Sequence, residues 1–154
     1  MPELIFKARS TGDYGEFAKL IRAYVEWCRT RYQEHPWIVE AAFGYQSLDN
    51  ELGQLSTSYG SPQGMALLAV SDGQIHGCVA YRKLSERVCE MKRLFVPDRF
   101  RGSGLGKRLC WRIMEGAKSD GFALMRLDTG YLFHEAQELY RSVGFVTCDP
   151  YNPY

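Results

Sequence analysis

The stretch FVPDRFRGSGLGKRL, residues 95–109, carries three glycines at alternate positions, Gly102, Gly104 and Gly106, between an apolar run and an amphipathic segment. Glycines at this density weaken a strand or a helix interior, so the stretch is predicted to be a loop. A backbone without Cβ atoms lets a ligand come close, and basic side chains on both sides of the glycines indicate that this ligand is an anion. The basic side chains are Arg99, Arg101, Lys107 and Arg108.

The composition limits what the rest of the chain can be. With 154 residues, 45% of them hydrophobic and 24% charged, the chain is typical of one soluble globular domain over residues 1–154. A net charge of +1 gives no general attraction to nucleic acid or to a membrane, so neither partner is expected and any anion site must be local. The beginning of the chain lacks a signal peptide's apolar core, and five cysteines without a CxxC pair indicate reduced thiols in a cytoplasmic protein.

Hydrophobic periodicity predicts the elements around the loop. A strand over 87–96 precedes it, and a helix from Leu105 to near Gly121 follows it. The other predicted elements are a strand at 3–9, a helix opening with a capping box at Asp13 and Glu16, a weaker helix over 45–57, a hairpin turning at Asp72–Gly73, a strand at 123–129, a helix at 134–142 and a last strand at 144–148. This order predicts an α+β fold in which a mixed, mostly antiparallel sheet of six strands has helices on both faces.

Three phosphate-binding patterns compete for the glycine loop. A P-loop requires G-x-x-x-x-G-K-[ST], but Arg101 stands at its first glycine and Arg108 at its hydroxyl residue. A dinucleotide fingerprint requires G-x-G-x-x-G, and here the third glycine comes one residue early. The pattern R-x-x-G-x-G is met by Arg101, Gly104 and Gly106, whose backbone amides before a helix start would suit a pyrophosphate.

With this motif the sequence resembles the GCN5-related N-acetyltransferases, the GNAT superfamily, whose acetyl-CoA signature it is. The segments CEMKRLFV, RGSGLGKRL, MRLDT and AQELYRSVGF follow in the family's order and spacing, and the likeness is best over 62–148. Pro97 comes one residue earlier than in most members, which alters the loop without changing the anion site. The resemblance implies a seven-stranded sheet, acetyl-CoA as cosubstrate, and direct acetyl transfer to a primary amine of a small molecule or peptide. The cofactor-binding residues it implies are Leu94, Phe95, Val96, Arg101, Gly102, Ser103, Gly104, Leu105, Gly106 and Lys107.

The fourth strand carries a change of parity. Cys89 and Met91 share one parity and Leu94 and Val96 share the other, so either a β-bulge inserts one residue or both strand faces are buried. In the resembled family a bulge here separates this strand from the next parallel one, and the thioester arm lies in the gap.

Two residues are candidates for moving protons. By resemblance Tyr140 is the general acid that protonates the leaving sulfur; alternatively it is a core tyrosine on an apolar helix face. By resemblance Glu90 deprotonates the amine through water; alternatively it is a carboxylate paired with Lys92 or Arg93. Asp128 and Thr129, at the end of the next strand, are predicted at the mouth of the same cleft, in contact with substrate or in a structural role.

The remaining features leave a second function open. The three histidines are isolated from other ligand residues, so no metal is expected. A non-catalytic acyl-CoA sensor would need the loop but no proton-transfer residues. After the strand predicted at 144–148 only DPYNPY follows, too short and proline-rich for the seventh strand. We therefore expect an exposed sheet edge that forms a homodimer, fraying of 149–154, or a cap made by Tyr151 and Tyr154.

Overall fold

A computed structural model of the protein describes residues 3–152, apart from the side chains of residues 45 and 46. The strands are β1 (Leu4–Lys7), β2 (Gly64–Ser71), β3 (Gln74–Ser85), β4 (Val88–Phe95) and β5 (Leu124–Arg126). The helices are α1 (Thr11–Arg31), α2 (Pro36–Phe43), α3 (Tyr45–Leu52), α4 (Leu55–Ser58), α5 (Leu105–Ser119) and α6 (His134–Ser142), with a 3₁₀ turn at Asp98–Phe100 between β4 and α5.

The strands form one sheet in the order β1-β2-β3-β4-β5. Neighbouring strands from β1 to β4 are antiparallel, and β5 is parallel to β4. The β2–β3 hairpin turns at Asp72 and Gly73, whose φ angles of 52° and 75° are those that a two-residue hairpin turn requires. The predicted hairpin and the mixed, mostly antiparallel sheet are confirmed.

Helices cover both faces of this sheet. Because side chains alternate along a strand, β2 places Met65 and Leu67 on one face and Ala66 and Leu68 on the other. The first pair packs in a cluster with Leu109 and neighbouring residues of α5, and the second pair packs in a cluster with residues of α1. The glycine loop at the start of α5 therefore lies at the end of β4, between the two layers.

The first half of the chain departs from prediction in two places. The capping box of α1 begins at Ser10, whose Oγ accepts from the Asp13 amide at 3.0 Å while the Asp13 carboxylate accepts from the Ser10 amide at 3.1 Å. Asp13 is thus the third residue of the helix instead of its cap. The helix predicted over 45–57 is divided into α3 and α4, and α2 was not predicted because its sequence PWIVEAAF is apolar almost all round and shows no amphipathic period.

The predicted sixth strand is wrong. Residues 144–148 form no strand, and the sheet has five strands among residues 3–152. Helix α6 instead ends in a Schellman motif: Gly144, at φ 106°, donates to the Arg141 carbonyl at 3.1 Å and Phe145 donates to the Tyr140 carbonyl at 3.0 Å. These bonds reverse the chain and pack Phe145 against Tyr140, with ring centroids 5.9 Å apart, so the expected exposed edge along 144–148 does not exist.

Candidate functional site

The glycine loop reaches α5 through two left-handed residues. Gly102 has φ 92° and Gly104 has φ 81°, values that a residue with a Cβ adopts only with strain. Gly104 is the N-cap of α5, and the first bond within the helix runs from the Arg108 amide to the Gly104 carbonyl at 3.1 Å. The amides of the first turn therefore have no partner inside the helix and point, with the positive end of the helix dipole, toward any anion beside the loop.

The basic residues around the loop have different roles. Arg101 donates from Nε to the Val96 carbonyl at 2.7 Å, and its guanidinium lies 4.8 Å from the centre of the Trp27 ring. Arg108 donates to the Ser103 carbonyl at 2.7 Å and forms an ion pair with Glu3. Arg101 and Arg108 thus brace the loop backbone, whereas the Lys107 side chain makes no hydrogen bond or ion pair within residues 3–152 and its charge remains available to a ligand.

A cavity of about 440 Å³ lies beside the loop. It is bounded by the loop, the end of β4, α6 and the middle of α1. Nine of the ten predicted cofactor residues line it: Leu94, Phe95, Val96, Arg101, Gly102, Gly104, Leu105, Gly106 and Lys107. The tenth, Ser103, is exposed, and its carbonyl is bound to Arg108.

The aromatic wall of this cavity was missed by the sequence reasoning. Tyr24 and Trp27 of α1 and Phe133 before α6 line the cavity, with centroids of Trp27 and Phe133 5.2 Å apart. Tyr24 follows Phe17, Leu20 and Ile21 at helical spacing on α1, and a single sequence assigns such an apolar stripe to the core as readily as to a site. Spacing along the chain gave no signal that these rings face the same space as the loop.

Strand β4 leaves its regular pairing next to the cavity. Cys78 lies opposite Phe95 and Ala80 lies opposite Lys92, so Arg93 and Leu94 stand opposite the single residue Val79. On the other side, β5 pairs with β4 only over Val88–Glu90. Beyond that point the two strands are not paired, so the backbone of residues 94–96 is open toward the cavity.

Tyr140 of α6 lies where two cavities meet. It is partly buried, and it lines both the 440 Å³ cavity and a second one of about 660 Å³ bounded by β5, α6 and residues 144–152. Within residues 3–152 its hydroxyl has no hydrogen-bond partner. Burial, together with the nearby Cys110, raises the pKa of Tyr140 above its usual 10.0, so the phenol is protonated at neutral pH and can donate.

Glu90 of β4 is a buried, fully paired carboxylate outside the lining of both cavities. It accepts from Arg82 Nε at 2.9 Å and from the Tyr151 hydroxyl at 2.7 Å, and Lys92 Nζ lies 3.9 Å away. Burial acts to raise the pKa of Glu90, but the hydrogen bond from Tyr151 and the charges of Lys92 and Arg82 outweigh it and lower the pKa. Arg82 was not predicted as the partner because it stands opposite Glu90 on β3, a register that spacing does not give.

The end of the described chain lies over this carboxylate. Asn152 donates from Nδ2 to Asp128 at 3.0 Å and to Glu90 at 3.4 Å, and the Arg126 guanidinium lies 5.2 Å from the Tyr151 ring. Tyr151 thus folds back over β4 and β5, while Tyr154 lies outside the described residues. Thr129 lines both cavities, and Asp128 lines the second.

Residues 3–152 contain no cluster of three or more histidine, cysteine or acidic side chains arranged to hold a metal ion. None of the helices among them is both long and apolar enough to cross a membrane. The five cysteines are unpaired thiols, four of them buried and Cys148 exposed.

Comparison with known proteins shows the family to which the chain belongs. A model of the acetyltransferase (GNAT) family matches residues 24–145. An uncharacterised N-acetyltransferase of Schizosaccharomyces pombe is 38% identical over 109 residues, which are 70% of this chain and 67% of that protein. An uncharacterised N-acetyltransferase of Dictyostelium discoideum is 45% identical over 65 residues, 42% of this chain and 30% of that protein, so the chain matches less than a third of its length.

A solved structure supports the fold. The PaiA N-acetyltransferase of Thermoplasma acidophilum in complex with coenzyme A superposes with a TM-score of 0.73 at 18% identity, over 97% of this chain and 93% of that one. The chain belongs to the GNAT family of acetyltransferases. The GNAT family is one of acetyltransferases, so the class of protein to which the chain belongs is that of the N-acetyltransferases.

Proposed function

We propose that the protein is an acetyl-CoA-dependent N-acetyltransferase that moves an acetyl group directly to a primary amine of a small molecule or peptide in a ternary complex. One observation carries the proposal. A single cavity brings together the glycine loop, the open backbone of residues 94–96 and the hydroxyl-bearing ring of Tyr140. The first two would bind the cosubstrate and the third would serve the leaving sulfur.

The loop fits the pyrophosphate of acetyl-CoA. Apart from the two flanking residues, no heavy atom lies within 4 Å of the position that a Cβ on Gly102 would take, so phosphate oxygens can approach the backbone there. The unpartnered amides at the start of α5 supply donors, and Lys107 supplies a charge that no residue of the described chain neutralises. Arg101 would act mainly by holding the loop against β4, because its Nε is bound to Val96.

The register shift in β4 is, in this proposal, the bulge that makes room for the pantetheine arm. Residues 94–96 lack a neighbouring strand on the β5 side, although the Val96 carbonyl accepts from Arg101 and Phe95 pairs with Cys78 on β3. The backbone groups that face the β5 side, apart from the Val96 carbonyl, would pair with the amides of the arm. The thioester would then lie near Tyr140, at the junction of the two cavities.

Acetyl-CoA supplies an activated acetyl thioester. The neutral amine adds to the thioester carbonyl, a C–N bond forms, the C–S bond breaks, and the amine's proton passes to a base while the thiolate takes one from an acid. Tyr140 is the proposed proton donor. Because its pKa is raised, Tyr140 is protonated at the start of the step. Its hydroxyl would donate a hydrogen bond that strengthens as negative charge develops on sulfur, would pass its proton to the thiolate as the C–S bond breaks, and would regain a proton from solvent.

Glu90 is the proposed base, acting through water. In the structure Glu90 is a paired carboxylate, as the alternative to a catalytic role expected, and its lowered pKa makes it a weak base. It could receive the amine's proton only after Tyr151 had left Oε2. Its role therefore stays a prediction, and Asp128 and Thr129, which line the second cavity, are proposed to contact the acceptor or to hold the structure.

The alternative is an acyl-CoA sensor without turnover. Such a sensor would need the glycine loop and β4 but no unpaired hydroxyl at Tyr140. Because Tyr140 has one, the enzyme is favoured. We further propose that residues 1–154 form one acetyltransferase domain in the cytoplasm, without a metal ion. A homodimer stays a prediction, without the edge along 144–148 through which it was expected.

Two variants test the proton-transfer residues. Tyr140→Phe keeps the ring and removes the hydroxyl, so kcat should fall about 10- to 1000-fold with little change in acetyl-CoA affinity. Tyr131→Phe, at an exposed tyrosine, is the matched control. A wild-type kcat in Tyr140→Phe, measured where chemistry limits the rate, would show that Tyr140 is a core residue and not the acid.

Glu90→Gln should lose less activity at high pH, where the amine is already deprotonated. A loss of activity independent of pH would argue against Glu90 as the base.

A further inference from the structure

Arg93 adopts a backbone conformation that is unfavourable for its residue type. Its φ of 59° is left-handed, and the other non-glycine residue with positive φ among residues 3–152 is Asp72 in the hairpin turn. An arginine gains nothing from this conformation locally, because its Cβ crowds the following carbonyl. Contacts elsewhere must therefore hold it.

Those contacts come from the helices before β2. Arg93 donates from Nε to Glu51 Oε2 at 2.9 Å and from Nη2 to Glu51 Oε1 at 2.5 Å, a two-point pair with α3. Its guanidinium lies 4.9 Å from the centre of the Phe43 ring on α2. The side chains of Arg93 and Glu51 are 11% and 19% exposed, so the pair is largely removed from solvent and its geometry is fixed.

The backbone of Arg93 is held from the other side as well. Its carbonyl accepts from Cys78 Sγ at 3.2 Å. The next three residues, Leu94, Phe95 and Val96, are those that line the cavity. The conformation of Arg93 therefore decides where the ligand-facing stretch of β4 begins.

We propose that Glu51 is a positioning residue, which holds Arg93 in its left-handed conformation and so fixes the backbone of residues 94–96 for binding acyl-CoA. The proposal rests on the proposed function of the cavity. It couples α3, which does not line the cavity, to the affinity for the cosubstrate. A glycine at position 93 would need no such support, because glycine enters the left-handed region without strain.

Four variants separate positioning from general stability. If Glu51→Gln lowers the fraction of molecules in which Arg93 is left-handed to about a tenth, the apparent Kd for acetyl-CoA rises about tenfold. Arg93→Ala should behave like Glu51→Gln. Arg93→Gly should stay within about threefold of wild type, and adding Glu51→Gln to it should change Kd no further, because the strain that the pair opposes is gone. Calorimetric titration below the melting temperature of every variant provides the Kd values.

Asp120→Ala is the control. It removes the carboxylate partner of the buried Tyr81 near the end of α5, away from the cavity. It should lower the melting temperature and leave Kd unchanged; an equal rise in Kd would show that any destabilisation weakens binding and would overturn the proposal. So would wild-type Kd values in Glu51→Gln and Arg93→Ala.

A second readout needs no cosubstrate. Hydrogen exchange at the Phe95 amide, which is held against Cys78 on β3, should accelerate in Glu51→Gln and stay near wild type in Arg93→Gly. Unchanged exchange in Glu51→Gln would overturn the positioning role. Wild-type protein that does not bind acetyl-CoA, yet shows this exchange pattern, would contradict the proposed function and leave the structural role of the pair supported.

Discussion

Substitutions at Gly104 test whether the glycine loop binds acetyl-CoA, and Gly121 provides a matched control. Gly104 has φ 81° and lines the cavity; Gly121 has φ 97°, follows α5, and does not line it. A Cβ at Gly104 would meet Arg108 Nη1 at 3.3 Å, the movable end of a long side chain, and a Cβ at Gly121 would meet nothing within 4 Å. Alanine at either site therefore costs mainly the left-handed strain, about 1–2 kcal/mol.

The two variants should lose similar stability but differ in binding. For a chain of this size, about 1–2 kcal/mol lowers the melting temperature by roughly 2–8 °C. In Gly104→Ala the loop also relaxes away from φ 81°, and losing one charge-assisted hydrogen bond to the pyrophosphate, worth about 1.5–3 kcal/mol, weakens acetyl-CoA binding roughly 10- to 150-fold. Gly104→Val should abolish binding, because a branched side chain tolerates this conformation least.

Calorimetric titration with acetyl-CoA, and the rise in melting temperature that the ligand produces, measure both quantities on the same samples. Gly121→Ala should bind like the wild type. If Gly104→Val is folded and binds acetyl-CoA as tightly as Gly121→Ala, the loop does not hold the pyrophosphate.

Three further predictions concern the rest of the molecule. The pKa of Glu90 lies below its ordinary 4.5, so its pairing stabilises the protein above that pH and is lost as the pH falls through the lowered value. Tyr151→Phe removes one donor and should make acid unfolding, followed by circular dichroism, begin at a higher pH; an unchanged midpoint would contradict this. A disulfide reagent should label about one thiol, Cys148, in the native protein and five after denaturation, since the other four are buried, and labelling of several native thiols would contradict the packing. Ser10→Ala removes the side chain that caps α1 by accepting from the Asp13 amide, so it should lower the free energy of unfolding by about 1 kcal/mol without changing acetyl-CoA affinity. Unchanged stability would show that the cap contributes little.

Local features were predictable from the sequence wherever one short segment decides them. The hairpin at Asp72–Gly73 and the bounds of α6 follow from turn chemistry and a clear amphipathic period. The glycine loop is of the same kind, since closely spaced glycines weaken regular structure and permit the left-handed backbone that Gly102 and Gly104 adopt. These features depend little on the rest of the chain.

The segment 144–148 was mispredicted for a local reason: its residues favour strands, but the Schellman motif of α6 and the packing of Phe145 on Tyr140 determine its path. Features that depend on distant residues were not predictable. Arg93 was considered as a partner for Glu90, whereas it pairs with Glu51, 42 positions away in the sequence. Neither strand register nor the position of α3 can be read from spacing alone.

Amine-dependent release of free thiol from acetyl-CoA, with mass spectrometry of the products, tests most directly whether this cavity carries out acetyl transfer. Wild-type protein should release thiol with at least one member of a panel of small-molecule and peptide amines and yield the N-acetylated amine in equal amount. Gly104→Val should release none, and Tyr140→Phe should bind acetyl-CoA but turn over slowly. Tight binding of acetyl-CoA without acetylation of any amine in a broad panel would contradict the enzyme and favour the sensor.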